Sequence, residues 1–106
     1  MEHIEATDWK DRIENDGSAI IVDTRTHREW NKGAIKNSVL LDVLNPYSFM
    51  NQAQNLDKGK SYYLYCQTGV RSVQACMILE NMGFKKTYNL RGGIVRYHGR
   101  LTTPEI

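Results

Sequence analysis

Residues 63–83 read YLYCQTGVRSVQACMILENMG, a stretch that opens as the end of a buried strand, turns at Gly69 and goes on as a helix. The strand is the run YYLYC, Tyr62 to Cys66, apolar or aromatic throughout and therefore suited to burial on both faces. From about Val70 to Met82 the period becomes helical: Ala75, Cys76, Leu79 and Met82 share one face, and Gly83 ends the run. A strand that feeds directly into a helix is half of a parallel βαβ unit.

The rest of the chain repeats this alternation. AIIVDTR, Ala19 to Arg25, reads as a strand that delivers Asp23, Thr24 and Arg25 at its carboxyl end. SVLLD is a third strand, TYNL at Thr87 to Leu90 a weaker fourth, and HIEA near the start a short edge strand. Thr7 is the expected cap of a first helix running to about Asn15, with Gly17 as its left-handed stop. Thr26 with Glu29 forms a capping box for a short helix closed by Gly33, and Asn45-Pro46 is a cap followed by proline at the first helical position. The expected fold is α/β, a mostly parallel sheet with helices on both faces, and ligand sites in such sheets lie beyond the carboxyl ends of the strands. Cys66 stands at one of those ends.

Composition bounds the function classes. With 106 residues, 41% hydrophobic and 25% charged, the chain reads as one globular domain over residues 1–106. Its 14 basic and 12 acidic residues are interleaved and the net charge is +2, so bulk charge makes no case for a nucleic-acid partner. The longest aliphatic run, Ala19 to Val22, falls far short of the roughly 20 residues that span a bilayer, and the N-terminus lacks the pattern of a secretory leader. No membrane partner and a cytoplasmic address are expected, where two cysteines serve chemistry or packing rather than a disulfide.

The segment from Cys66 to Arg71 carries the chemistry. To pass from strand to helix, Gln67, Thr68, Gly69 and Val70 must curl so that successive N–H groups gather around the sulfur, with Gly69 permitting a positive φ. The positive end of the helix adds to that field, so the thiolate should be favoured and an anionic sulfur adduct should be held in the same cradle. Arg71, on the first helical turn, offers a planar fork of donors to an oxyanion, and Thr68 and Ser72 offer hydroxyls. A cysteine at a strand end is often only a small buried apolar group. Such a group, however, needs neither a glycine turn, nor a helix start, nor a cation after it.

These residues resemble those of the rhodanese domains, in particular the single-domain sulfurtransferases. IVDTRTHREWNKGAI is similar to the family's first motif through Asp23, Arg25, Glu29, Trp30 and Gly33; YCQTGVRS resembles its active-site loop, and MGFKKTYNLRGGI its last strand and glycine turn. The resemblance implies a three-layer sandwich around a sheet of four or five strands. It also implies a reaction: a Cys66 persulfide formed from a small anionic donor such as thiosulfate, then passed to cyanide or a thiol acceptor, possibly on an acceptor protein. Cys66 would be the nucleophile, Arg71 a donor-binding cation, and Gln67, Thr68, Gly69, Val70 and Ser72 the persulfide cradle. The chain departs from the family where His-Ile-Pro-Gly-Ala is usual, having Ala34, Lys36, Asn37 and Ser38 around Ile35. Phosphatases and arsenate reductases of the same fold carry five residues between cysteine and arginine. Here there are four, which favours sulfur over a tetrahedral oxyanion and leaves those enzymes, with a non-catalytic binding module, as rival readings.

Other candidates are given structural readings. Six helical residues separate Val70 from Cys76, a rise of about 9 Å, so Cys76 is expected to pack in the core rather than bridge to Cys66. His3, His27 and His98 have no metal-ligand spacing, and neither metal nor cofactor is expected. Asp23 with Arg25 reads as a structural ion pair, Glu29 as accounted for by its capping box and Trp30 as a packing residue, while Tyr97 is a candidate pocket wall. Arg91, Arg96 and Arg100 are a basic rim or a solvated surface.

Overall fold

A computed structural model describes residues 1–104. The elements are β1 (Glu2–Ile4), α1 (Ala6–Glu14), β2 (Ala19–Asp23), α2 (His27–Lys32), β3 (Ala34–Ile35), β4 (Val39–Leu40), α3 (Pro46–Ala53), β5 (Ser61–Tyr65), α4 (Val70–Asn81), β6 (Lys86–Leu90), a short 3-10 turn (Ile94–Arg96) and β7 (Leu101–Thr102). Five strands form one sheet in the order β1-β6-β5-β2-β4, with every neighbouring pair parallel. The expected α/β sandwich is the fold observed. An antiparallel pair, β3 with β7, stands beside it and was not foreseen.

The central place of β5 follows from its sequence. All of its residues are buried, and the side chains alternate between two cores. Tyr62 and Leu64 join Val22, Leu41, Phe49, Ala53, Ala75, Cys76 and Leu79 beneath α3 and α4. Tyr63 and Tyr65 join Ile4, Trp9, Leu90 and Ile94 beneath α1 and the 3-10 turn. A strand with a polar face could not fill that position without burying unsatisfied groups. The expected Cys76 packing holds, and its sulfur lies 3.8 Å from the Tyr88 carbonyl.

Several local expectations need correction. The first helix starts at Ala6 with Glu5 as an extended, side-chain-free cap, so Thr7 caps nothing. The reason is register: β1 is held against β6 as far as Ile4, and Arg91 N–H donates to the Ile4 carbonyl, leaving one residue for the junction. Gly17 is not a left-handed stop, for Asn15 closes the helix with its Nδ2 donating to the Asp11 carbonyl, and Asp16 turns the chain by accepting from Ser18 N–H. SVLLD supplies only the two-residue edge strand β4; Leu41 N–H still donates to the Asp23 carbonyl, but as an irregular extension. TYNL is no weak strand: as β6 it lies between β1 and β5.

The other signals hold as read. Thr26 and Glu29 form the reciprocal capping box, Gly33 closes α2, and Asn45 caps α3 with Pro46 at its first position. The departure at Ala34 to Ser38 also has a conformational reading. Asn37 adopts φ 68°, the left-handed region, where the resembling motif has glycine. Asparagine is the side chain that enters this region at least cost after glycine.

Candidate active site

Cys66 follows the last residue of β5, and the chain reaches α4 at Val70 through Gln67, Thr68 and Gly69. Gly69 takes φ 99°, as the tight passage requires, and its N–H donates to the Cys66 sulfur at 3.0 Å. Ser72, buried on the first turn of α4, places its Oγ 3.3 Å from the same sulfur. Helix geometry leaves the N–H groups of Val70, Arg71 and Ser72, like that of the cap Gly69, without intrahelical acceptors, and the helix dipole adds positive potential at this end. The sulfur thus lies at a helix start beside one backbone N–H, that of Gly69, where the sequence led one to expect several successive N–H groups around it.

The loop is held from the side by the glycine turn after β6. Ile94 N–H donates to the Cys66 carbonyl at 2.9 Å and Val95 N–H to the Gln67 carbonyl at 3.3 Å. Gly93, at φ 74°, lies so close that a Cβ there would stand 2.3 Å from the Gln67 carbonyl oxygen. These bonds turn two loop carbonyls away from the sulfur. Cys66 itself is fully buried, and the nearest cavity, about 390 Å³ and lined by Arg25, Glu29, Gln67 and Ile94 among others, does not include it. Gln67 is half-buried, while Thr68 and Val70 are exposed and form the outer wall of the loop.

Arg71 differs from its expected role. Its Nη1 and Nη2 donate to the two carboxylate oxygens of Glu29 at 2.7 and 2.8 Å, so the fork that was to meet an anionic donor is closed on α2. Glu29 is therefore more than a capping residue, and the Arg71 guanidinium holds its carboxyl down at about 2. Arg25 and Asp23 form the expected structural ion pair, with Nη2 to Oδ2 at 2.7 Å and both side chains buried. Tyr65 OH donates to the same carboxylate at 2.7 Å, and Arg25 also reaches the Gly33 carbonyl and, at 3.3 Å, the Gln67 side chain. The ion pair thus connects β2, β5 and the cysteine loop.

Trp30 is half-buried, as a packing residue would be. Arg91 pairs with Glu5 at 2.6 Å, and Arg96 lies over Gly92, so neither forms a ring around the sulfur. Tyr97 is half-buried and packs on the α1 side of the sheet. Burial pushes the Cys76 thiol up to about 12, in keeping with packing rather than reactivity. Among the described residues, no three His, Cys, Asp or Glu side chains gather as a metal site would require.

Sequence reasoning missed two partners of this site. Asn89 on β6 accepts from Ser72 Oγ, and its amide nitrogen lies 3.1 Å from His3 Nδ1 on β1. The only local sign was a polar residue in the otherwise apolar end of TYNL.

Comparison with known proteins agrees with this geometry. A tRNA uridine(34) hydroxylase of Pelagibacter ubique is 38% identical over 90% of this chain and 31% of its own length. One from Rickettsia canadensis is 31% identical over 91% of this chain and 39% of its own. The chain therefore spans about a third of the length of these curated relatives. Their printed name gives a tRNA uridine as what those proteins act on. Among solved structures, a rhodanese-like domain protein of Staphylococcus aureus superimposes with a TM-score of 0.82 at 28% identity, covering 99% of this chain and 100% of its own. A rhodanese-like domain from Anabaena shares the fold at a TM-score of 0.85 and 22% identity, covering 98% of this chain and 80% of its own. The model of the rhodanese-like domain matches residues 5–100, and with the cysteine loop, the helix start and the glycine turn in their places, the chain belongs to the rhodanese-like domain family.

Proposed function

We propose that residues 1–106 act as one sulfurtransferase domain, moving a sulfane sulfur from a small anionic donor such as thiosulfate to cyanide or a thiol through a persulfide on Cys66. The observation that carries this reading is the convergence of Gly69 N–H and Ser72 Oγ on the Cys66 sulfur at the start of α4. In the first step the thiolate attacks the outer sulfur of thiosulfate; the sulfur–sulfur bond of the donor breaks, and sulfite leaves with the electron pair. In the second, an acceptor thiolate or cyanide takes the outer sulfur and Cys66 leaves as thiolate, so the kinetics are ping-pong. The cradle of Gln67, Thr68, Gly69, Val70 and Ser72 then stabilises whichever sulfur anion is present.

Because Cys66 is buried, the exposed wall at Thr68 and Val70 must yield for the donor to enter. Arg71 serves the site first by fixing α4 against α2 through Glu29, and binds the donor only if that pair opens. No cofactor or metal enters the scheme. Two unpaired cysteines favour a reducing, cytoplasmic setting.

The test is intact mass after mixing with thiosulfate. A gain of one sulfur atom, about 32 Da, located at residue 66 and discharged by cyanide is expected. Cys66→Ser should abolish the gain with the fold intact, because a hydroxyl is a far weaker nucleophile at neutral pH. Release of phosphate from an aryl phosphate without thiocyanate from thiosulfate would transfer the domain to the phosphatase reading. A protein that gains no sulfur and turns over neither substrate would be a binding module.

A second reading rests on the relatives named tRNA uridine(34) hydroxylase, the first of them 38% identical over 90% of this chain. On that reading the domain serves in an enzyme that oxidises a tRNA uridine. Incubation with unmodified tRNA, dioxygen and a thiol reductant, followed by nucleoside mass analysis, separates the two: a uridine gaining one oxygen from dioxygen, the other leaving as water at the expense of two thiols, in a reaction that depends on Cys66, favours the hydroxylase.

A further inference from the structure

Behind the cysteine loop, a line of hydrogen-bonding groups runs from the sulfur to the edge of the sheet. Ser72 Oγ is 3.3 Å from Cys66 Sγ and also bonds Asn89 Oδ1; Asn89 Nδ2 is 3.1 Å from His3 Nδ1. Cys66, Ser72 and Asn89 are buried, whereas His3 is exposed on the edge strand, where the β1 register sets it directly beside Asn89. The interior end of the line is the reacting atom, and the outer end is a ring whose protons exchange with water.

The donor count along this line allows two directions. Ser72 has one hydroxyl proton and faces two acceptors. With Asn89 Oδ1 toward Ser72, that proton goes to the amide, and a Cys66 thiol donates to Ser72 Oγ; His3 Nδ1 then accepts from Asn89 Nδ2. With the amide turned over, Nδ2 donates to Ser72 Oγ, the Ser72 proton turns to the sulfur, and Asn89 Oδ1 accepts from a proton on His3 Nδ1. The second arrangement suits a thiolate or a persulfide anion. The amide conveys orientation and carries no proton; the sulfur exchanges its proton with solvent when the loop opens, and His3 takes its own from water.

We propose that Asn89 and His3 are positioning residues that set the direction of the Ser72 hydroxyl, and through it the readiness of the Cys66 sulfur to act as an anion. This deepens the sulfurtransferase reading and rests on it for the role of the sulfur. Of the charged groups on the elements packed here, Arg91 pairs with Glu5, the Met1 amine with Glu80, Arg12 with Glu2 and Arg71 with Glu29, while Lys86 stands at the start of β6, three residues before Asn89, and Asp8 and Asp11 lie on α1. His3 is the member of the line that meets solvent, at its outer end.

The experiment is alkylation of Cys66 by iodoacetamide as a function of pH, read by peptide mass, in the wild type, His3→Phe, His3→Asn and Asn89→Leu. His3→Phe and Asn89→Leu should each move the profile to higher pH and slow labelling at neutral pH by about three- to tenfold, the scale of one hydrogen bond. The double variant should lose no more than the larger single loss, since both act on one line. His3→Asn, with an amide near the position of Nδ1, should recover most of the rate. An unmoved profile in folded His3→Phe overturns the proposal, and because His3 is exposed that variant should fold even if Asn89→Leu does not. Slower labelling by an equal factor at every pH overturns it too, because that reports altered loop opening. If thiosulfate adds no sulfur to the wild type yet the profile moves in His3→Phe, the transferase reading fails and the positioning line stands. Sulfur uptake with an unmoved profile gives the reverse.

Discussion

The two cysteines lie on one strand–helix segment and are both buried, yet their surroundings differ in the way that decides reactivity. Cys66 has a backbone N–H at 3.0 Å, a donor suited to an anion, and the Ser72 hydroxyl at 3.3 Å, whereas Cys76 faces hydrocarbon and the Tyr88 carbonyl at 3.8 Å. Burial, aided by the Glu80 carboxylate, holds the second thiol protonated, and its role reduces to filling space between α4 and the sheet. Cys76→Ala should therefore keep full sulfur transfer and cost about 1–2 kcal/mol of stability, since only one buried sulfur is removed and the cavity is small. Urea unfolding of the variant beside the thiosulfate assay checks both halves, and lost activity in a folded protein would assign Cys76 a chemical part. Of the cradle, Cys66, Gly69 and Ser72 were legible in the sequence because each acts within one loop and one helical turn. The Arg71–Glu29 pair was not legible because its members are 42 residues apart, and the Asn89–His3 contact spans 86; such pairings are set by the sheet order and leave no local pattern.

At the level of elements, the loop keeps its shape through a neighbour that contributes no side chain. Gly93 presses against the Gln67 peptide with φ 74°, and the next two N–H groups bind the Cys66 and Gln67 carbonyls. Gly93→Ala meets two obstacles at once: a strained left-handed backbone, and a Cβ placed 2.3 Å from a carbonyl oxygen that cannot swing aside without moving the cysteine loop. The variant should lose about 1–3 kcal/mol of stability and, in the folded fraction, most of its sulfur transfer; a fully active, equally stable Gly93→Ala would show that the loop tolerates displacement. The helices and strands around this contact were readable wherever local chemistry decides, as in the Thr26 capping box and the Asn45-Pro46 start. They were misread where strand register overrides it. Thr7 loses its capping place because β1 pairs up to Ile4, and TYNL gains a central position because two strands flank it.

Over the whole molecule, the order β1-β6-β5-β2-β4 brings the carboxyl ends of β2, β5 and β6 to one rim, where Arg25, Cys66 and the Gly92-Gly93 turn meet. The Glu29–Arg71 pair ties that rim together by joining α2 to α4, and it makes global stability depend on pH. The Arg71 fork, aided by the Thr26 N–H, brings the folded carboxyl from 4.5 down to about 2. A depressed carboxyl contributes its full stabilisation above the unfolded value, where both states are ionised. As pH falls below about 4.5 the unfolded chain takes up the proton first, and the contribution fades until it is gone below about 2. Both side chains are roughly a quarter exposed, at 23% and 29%, so solvent screening reduces the contribution to about 1–2 kcal/mol. Glu29→Gln should therefore lower the stability at pH 7 by about that amount. Between pH 4.5 and 2 the variant and wild-type curves should converge, because the wild type is losing what the variant never had. Urea unfolding across that range isolates the pair from the other carboxylates by difference, and curves that stay parallel would mean that Arg71 does not hold Glu29 in the folded protein.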